Sequence, residues 1–96
     1  MEVVFDPIGG VDAANAKAWF ERSSLVYYAT AAGKRVRCVI PRDYLGSLGS
    51  FGPLGPDNVA DAIKCFKKHQ AEVESKLRMF IEEGRLNQDG EACLLA

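Results

Sequence analysis

The sequence contains a single histidine, His69, and this scarcity limits the chemistry that the chain supports. A cysteine nucleophile needs a base, and the base in turn needs an orienting group and a nearby oxyanion donor. His69 follows Cys65 by one helical turn, but the sequence places no third group beside the pair. We therefore predict that the protein is not an enzyme.

Long apolar runs, an N-terminal signal and paired cysteine motifs are also missing. No apolar stretch approaches the roughly 18–20 residues that cross a bilayer, and residues 1–6 lack the basic start of a signal peptide. The three cysteines, Cys38, Cys65 and Cys93, are odd in number and form no C-x-x-C motif, which argues against a disulfide framework and a zinc finger. We expect a reduced, cytoplasmic protein with no membrane association.

Neither sign of charge dominates the chain. The net charge is −1, so no overall attraction favours nucleic acid or an anionic membrane. The 96 residues are 48% hydrophobic and 26% charged, which is a globular composition in a length that holds one core. We predict a single domain over residues 1–96.

Two β-rich segments, 25–31 and 34–40, are joined by Ala32-Gly33, and glycine supplies the positive φ of a tight turn. A two-residue turn pairs Ala31 with Lys34 and sets the register of the whole hairpin. The face expected to meet the core carries Leu25, Tyr27, Ala29, Val36, Cys38 and Ile40. The face expected to meet solvent carries Val26, Tyr28, Thr30, Arg35, Arg37 and Val39.

The strongest periodicity follows Asp57, which we predict to cap an amphipathic helix. Without a break, this helix runs from Asn58 to Glu83 over about 39 Å, with Gly84 as its C′ residue. The alternative is a kink near His69-Gln70. Apolar residues in steps of four and three predict one buried stripe formed by Val59, Ile63, Phe66, Gln70, Val73, Leu77, Phe80 and Ile81.

Shorter patterns complete the predicted fold. Glycine recurs every third residue from 46 to 55, as in a polyproline-type strand. We predict an α+β fold in which an antiparallel sheet of three to four strands, the β-hairpin plus terminal strands, packs against one long or kinked C-terminal amphipathic helix. The other predicted elements are a strand at Glu2–Phe5, a helix at Ala13–Arg22 capped by Asp12, a helical turn at Arg42–Leu45, a turn at Asn87–Gly90 and a last strand at Glu91–Leu95.

Three pieces of the chain follow one another in a recognisable order and spacing. They are the segment Gly33–Ile40, the helix pattern Ala62-x-x-x-Phe66-x-x-His69-x-x-x-Val73-Glu74, and the ending Ile81–Gly84 with Asp89-Gly90 before Leu94. Together they resemble a family of small bacterial proteins catalogued as domain of unknown function 1488. The resemblance implies a compact strand–strand–helix–strand protein of bacterial origin, with no assigned activity and no catalytic residues to carry over.

Cys65, His69 and Glu72 share one flank of the helix stripe, at a spacing that suits metal ligands on adjacent turns. A structural site needs further ligands, and a boundary histidine beside a half-buried thiol explains the pattern more simply. The glycine-rich segment before the helix lacks Gly-Lys-Ser/Thr, and Asp57 and Asp61 disfavour an anion at the helix start. We predict no metal and no cofactor.

The outer hairpin face is a candidate for nucleic-acid binding, because cations cluster there around an aromatic ring. The register sets Tyr28 beside Arg37, and Lys34 and Arg35 lie near the turn. Such a face stacks on bases and neutralises phosphates. A solvated face with arginines packed on tyrosine is the plainer interpretation. Nucleic-acid binding through these four residues is therefore the alternative function.

Self-association is the leading hypothesis, because the sequence holds more large apolar residues than one sheet face and one helix can cover. Met79 falls nearly opposite the helix stripe. The predicted core does not have room for all of Leu48, Phe51, Leu54, Trp19, Phe20 and Met79. Extra apolar surface on a small domain is typical of association. We predict a non-enzymatic binding protein that acts as a homodimer, with an unidentified protein as a further partner. The expected interaction surface consists of Leu48, Phe51, Leu54 and Met79.

Overall fold

The computed structural model describes residues 2–6, 8–10, 13–48 and 58–94. Its elements are β1 (Val3–Phe5), α1 (Ala13–Arg22), β2 (Ser24–Ala31), β3 (Lys34–Pro41), α2 (Arg42–Ser47), α3 (Val59–Lys68), α4 (Gln70–Glu82) and β4 (Ala92–Cys93). The strands form one sheet in the order β1-β2-β3-β4, with β2 antiparallel to both its neighbours and β4 parallel to β3. The predicted α+β class, with a mostly antiparallel sheet packed against helices, is confirmed.

The β2–β3 hairpin has the predicted register. Ala31 pairs with Lys34, and Tyr28 lies opposite Arg37. Ala32 and Gly33 both have positive φ, 51° and 76°, which a type I′ turn requires. The right-handed twist of the strands selects this turn, so the hairpin register follows from local chemistry alone.

The inner face of the hairpin meets the helical stripe, as predicted. Leu25, Tyr27 and Cys38 on this face are buried, and the Tyr27 ring contacts the Phe66 ring edge-on with centroids 5.2 Å apart. Such aromatic pairs stabilise a core beyond the area they bury. Helices α3 and α4 contribute Ala62, Ile63, Cys65, Phe66, Val73, Leu77 and Ile81 to the core, with Val59 and Phe80 partly buried against it.

The outer face of the hairpin departs from the prediction at one residue. Arg35, Arg37 and Thr30 are exposed as expected, but Val39 is buried. Val39 lies on the central strand β3, between Val26 of β2 and Cys93 of β4 on the same face. Side chains on both neighbouring strands therefore shield it from water.

Trp19 of α1 is one of the six apolar residues that were not all expected to fit the core, and it belongs to the core. Its side chain is 1% exposed, because α1 packs against both β2 and α3. The amide of Asn15, one turn earlier, donates a 2.7 Å hydrogen bond to the Gly10 carbonyl and satisfies a buried polar group. Phe20, the next residue after Trp19, points to solvent.

The predicted C-terminal helix is interrupted at His69, which is the second of the two arrangements considered. His69 has φ −110° and ψ 18°, and its backbone N–H donates to the carbonyls of Cys65 and Phe66. Helix α4 ends at Glu82, Glu83 is its C-cap, and Gly84 is the C′ residue as predicted. Gly84 has φ 71°, and the Arg85 N–H bonds the Phe80 carbonyl at 2.8 Å. That bond is the signature of a Schellman motif.

The last strand is shorter than predicted and has the opposite direction. It spans Ala92–Cys93, and Ala92 pairs in parallel with Cys38. Helices α2, α3 and α4 all lie between β3 and β4, so the chain crosses over before it re-enters the sheet. A crossover of this kind allows parallel pairing, whereas a tight hairpin would require antiparallel strands.

Several predictions lie outside the described residues. These are the capping roles of Asp12 and Asp57, the glycine repeat from residue 49 onward, and the surface residues Phe51 and Leu54. The helical turn predicted at Arg42–Leu45 is present as α2, which continues to Ser47.

Candidate functional site

The outer face of the sheet brings together most of the polar side chains singled out in the sequence. The Arg35 guanidinium carbon lies 4.4 Å from the centroid of the Tyr28 ring, and that of Arg37 lies 5.9 Å from it. Cation–π contacts at exposed sites contribute about 0.5–1 kcal/mol each. The plainer interpretation of this face, arginines packed on tyrosine, therefore describes the structure.

A buried carboxylate, Glu91, lies at the edge of this face and organises it. The side chain of Glu91 is only 4% exposed. Both of its oxygens accept hydrogen bonds from Arg22, each at 2.9 Å. Arg37 donates a third hydrogen bond at 3.1 Å, and the Asn87 amide donates a fourth at 3.1 Å. We call these four residues the Glu91 cluster.

The Glu91 cluster keeps the Glu91 carboxylate in its ionised form. The two-point hydrogen bond from Arg22 is the main reason that the pKa of Glu91 falls to about 2, and Asn87 and Arg37 lower it further. Burial opposes this shift because it penalises the charged form, but the donors outweigh it. Glu91 is therefore ionised at neutral pH and unsuited to accept or donate a proton there.

The turn before β4 places Glu91 accurately. The Asn87 side-chain oxygen accepts hydrogen bonds from the backbone N–H groups of Asp89 and Glu91, both at 2.9 Å. The Gly90 N–H bonds the Asn87 carbonyl at 2.9 Å, and Gly90 has φ 77°. The turn predicted at Asn87–Gly90 is present, and the side chain of Asn87 stabilises it by accepting these backbone N–H groups.

The positive charges of the predicted nucleic-acid surface are largely paired. Arg37 bonds Glu91, and Arg35 lies 3.2 Å from the Asp6 carboxylate. Lys34 is exposed near the turn. Of the four predicted contact residues, Tyr28, Arg35 and Arg37 are together on one face. Acidic neighbours offset the charges of both arginines.

Two open grooves flank the Tyr28–Arg37 pair. One, of ≈ 430 Å³, lies between the pair and the Lys17, Glu21 and Arg22 side of α1. The other, of ≈ 340 Å³, lies toward Arg35 and the turn that leads to Glu91. Both contain charges of both signs, so neither has the character of a dedicated anion site.

The apolar residues predicted to form an interaction surface have different environments. Leu48 is half-buried and packs against the core, whereas Met79 is exposed. Val4, Phe20 and Leu86 are exposed as well. Val4 and Leu86 were missed: in the segment Val3-Val4-Phe5 every residue is apolar, so no alternation with polar residues marks the outward side chain.

The Cys65, His69 and Glu72 spacing does not produce a metal site. The Cys65 thiol is buried and lies 3.6 Å from the Leu45 carbonyl as a hydrogen-bond donor, while His69 Nδ1 lies 3.8 Å from the Glu72 carboxylate. The part of the chain that the structure describes contains no group of three or more His, Cys, Asp or Glu side chains arranged to hold a metal. Burial, with a smaller contribution from Glu74, raises the pKa of Cys38 to about 12, so this thiol is inert.

No helix in the described ranges is both long enough and apolar enough to cross a bilayer.

The fold and the outer face define a small α+β protein with one sheet face on a helical core and the other partly open. Residues 15–94 match the family described as "Protein of unknown function (DUF1488)", and the chain belongs to this family. The resemblance noted in the sequence is thereby confirmed. Membership of this family fits the observed order of strands and helices, and it assigns no activity to the chain.

A solved structure shares this architecture. It is the crystal structure of a protein of unknown function from the DUF1488 family of Shewanella loihica PV-4, with a TM-score of 0.73 and 16% sequence identity. The match covers 96% of this chain and 90% of that chain. At this level of identity the likeness shows the fold alone. No curated protein matches the chain.

Proposed function

We propose that the protein is a non-enzymatic, cytoplasmic interaction protein that acts as a homodimer. The observation that carries this proposal is the exposure of four large apolar side chains on a small domain: Val4 at 52%, Phe20 at 70%, Met79 at 44% and Leu86 at 39%. Removal of apolar surface from water favours association. Contiguous exposed apolar patches on a small domain mark interaction sites.

The absence of a catalytic role is supported by the environment of the reactive groups in the described residues. Glu91 is saturated with donors, and Cys38 and Cys65 are buried thiols. His69 lies beside Glu72 at the helix break, with its Nδ1 3.8 Å from the Glu72 carboxylate.

The oligomeric state is the direct test. Sedimentation-equilibrium ultracentrifugation of the untagged chain over a wide concentration range should give twice the chain mass of 10.5 kDa. A dissociation constant in the micromolar range or tighter corresponds to about 8 kcal/mol or more of binding free energy. A single species of monomer mass at the highest concentration would remove the proposal.

Nucleic-acid binding is the second candidate, since Arg35 and Arg37 surround the Tyr28 ring. The ion pairs to Asp6 and Glu91 weaken it, because a phosphate would have to compete with both carboxylates. A gel shift with single-stranded RNA at low salt tests it. The variant Lys34→Glu with Arg35→Gln should abolish any shift, because it removes two cations while it leaves the Glu91 cluster intact. No shift by the wild type ends this candidate.

A further inference from the structure

β1 is an edge strand with no charged residue. It pairs with β2 on one side, and no described strand lies on its other side. Its sequence is Val3-Val4-Phe5, and Val4 is exposed on the outer face. Edge strands of monomeric proteins are commonly blunted by lysine, proline or a bulge, because unpaired backbone groups attract a further strand. β1 contains none of these within its length.

The hydrogen-bond pattern shows which backbone groups face the open edge. The Asp6 N–H bonds the Tyr28 carbonyl at 2.8 Å. Bonded pairs alternate along antiparallel strands, so Val4 also directs its backbone N–H and C=O toward β2. Val3 and Phe5 therefore direct theirs away from the sheet.

We propose that two copies of the chain pair antiparallel along β1, with Val4 opposite Val4 of the partner subunit on the two-fold axis. This inference rests on the proposed homodimer and specifies its interface. Val3 then pairs with Phe5 of the partner subunit, and the same pair occurs again across the axis. The result is a continuous sheet of two four-stranded halves joined by four backbone hydrogen bonds.

The register follows from two requirements. When the two-fold axis passes through Val4, both residues with outward-directed backbone groups, Val3 and Phe5, pair with the partner strand. An axis at Val3 or at Phe5 leaves one of the two without a strand partner. Centring on Val4 also places the two exposed valines together on the outer face. The other two registers set Val4 opposite the partner subunit's Glu2 or the partner subunit's Asp6, an apolar side chain against a carboxylate.

The charges at the ends of the strand are compatible with this register. It sets Asp6 opposite Glu2 of the partner subunit, and these like charges need a cation between them. Arg35 supplies one: its guanidinium lies 3.2 Å from the Asp6 carboxylate, and its side chain is exposed. An open groove of ≈ 480 Å³ beside β1, lined by Glu2, Val4, Thr30, Ala32 and Gly33, leaves room for the partner's side chains.

Lysine at the edge tests the interface. Val4→Lys places two ammonium groups on the two-fold axis, while a lysine at this exposed position is tolerated in a monomer. Ser75→Lys is the control, because it adds the same charge at an exposed position of α4 and is not one of the apolar residues that carry the homodimer proposal. We expect wild type and Ser75→Lys to sediment as dimers and Val4→Lys as a monomer. If Val4→Lys remains a dimer, the homodimer stands and the β1 interface is wrong; if the wild type is a monomer, both are wrong.

A disulfide provides a second test that does not depend on the stability of the lysine variant. Facing residues that are not hydrogen-bonded have Cα atoms about 4.5 Å apart, which suits a disulfide. In a Cys93→Ser background, Val4→Cys should form a covalent dimer under mild oxidation. Thr30→Cys, one strand further in on the same face, should not. A dimeric protein in which Val4→Cys fails to cross-link overturns the proposed pairing.

Discussion

The Arg22 guanidinium and the Glu91 carboxylate form a two-point ion pair in which both N–O distances are 2.9 Å. The pair joins the end of α1 to the residue before β4. A planar guanidinium matches the two oxygens of a carboxylate, so this geometry has directional specificity as well as charge. Arg37 of β3 completes the cluster, which therefore connects three elements that are distant in the sequence.

Replacement of Glu91 by glutamine should destabilise the protein. Glu91→Gln retains the shape of the side chain but leaves Arg22 and Arg37 without their anion. Hydrogen bonds to charged groups contribute about 1.5–3 kcal/mol when buried, and the half-exposed arginines reduce this, so we expect a loss of about 1–2 kcal/mol. Urea unfolding followed by circular dichroism measures it. Glu82→Gln, an exposed change on α4, should stay within about 0.5 kcal/mol.

The contribution of Glu91 should depend on pH in a defined direction. Its pKa is about 2 in the folded protein against an ordinary value of 4.5, so the unfolded chain binds more protons between these values. The stability that Glu91 provides is therefore fully present above pH 4.5 and is lost as the pH falls toward 2.

The comparison of wild type with Glu91→Gln isolates this effect. The difference in unfolding free energy between the two proteins should be constant from about pH 7 to pH 5 and should shrink at lower pH. Urea titrations at several pH values measure it. A difference that persists unchanged near pH 2 would contradict the assignment.

Neighbouring aromatic residues on α1 should respond in opposite ways to truncation. Trp19 is fully buried, so Trp19→Ala should cost about 3–5 kcal/mol or prevent folding. Phe20 is exposed in the single chain, so Phe20→Ala should change monomer stability by less than about 0.5 kcal/mol. Denaturant unfolding of both variants, at one fixed protein concentration, measures the two losses of stability. Comparable losses from the two changes would mean that α1 is rotated relative to the sheet.

The hairpin turn offers a stabilising change. Ala32 has φ 51°, a left-handed conformation that costs an ordinary L-residue about 1–2 kcal/mol. Asparagine tolerates this region, and Asn-Gly is a favoured type I′ sequence. Ala32→Asn should therefore raise the unfolding free energy by about 0.5–1 kcal/mol. Ala31→Asn, in the preceding strand and buried, should lower it; a destabilised Ala32→Asn variant would contradict the turn type.

Much of the fold could be predicted because its signals are local. Alternation along 25–31 and 34–40, with Gly33 between them, determined the hairpin register and the inner face. The period of the C-terminal segment identified Phe66, Val73 and Leu77 as the buried stripe. The place of Trp19 in the core could not be predicted, because the only large apolar residues of α1, Trp19 and Phe20, are adjacent and do not mark one side of the helix.

The candidate site was predicted only in part. Tyr28, Arg35 and Arg37 were correctly placed on one face, because cross-strand neighbours follow from the register. The acids that pair with them, Asp6 and Glu91, were not identified. Asp6 follows β1, and Glu91 lies in the turn before β4. No local sequence pattern indicates which strands are neighbours in the sheet.

Short-range chemistry in the chain thus dictates the type I′ turn, the two faces of the hairpin and the buried stripe of the helices, because each depends on residues within a few positions of one another. The parallel direction of β4, the burial of Val39 and the meeting of Arg22 with Glu91 depend on how the helices cross over the sheet. Those contacts join residues up to 69 positions apart. Packing of the whole domain, which no local signal encodes, decides them.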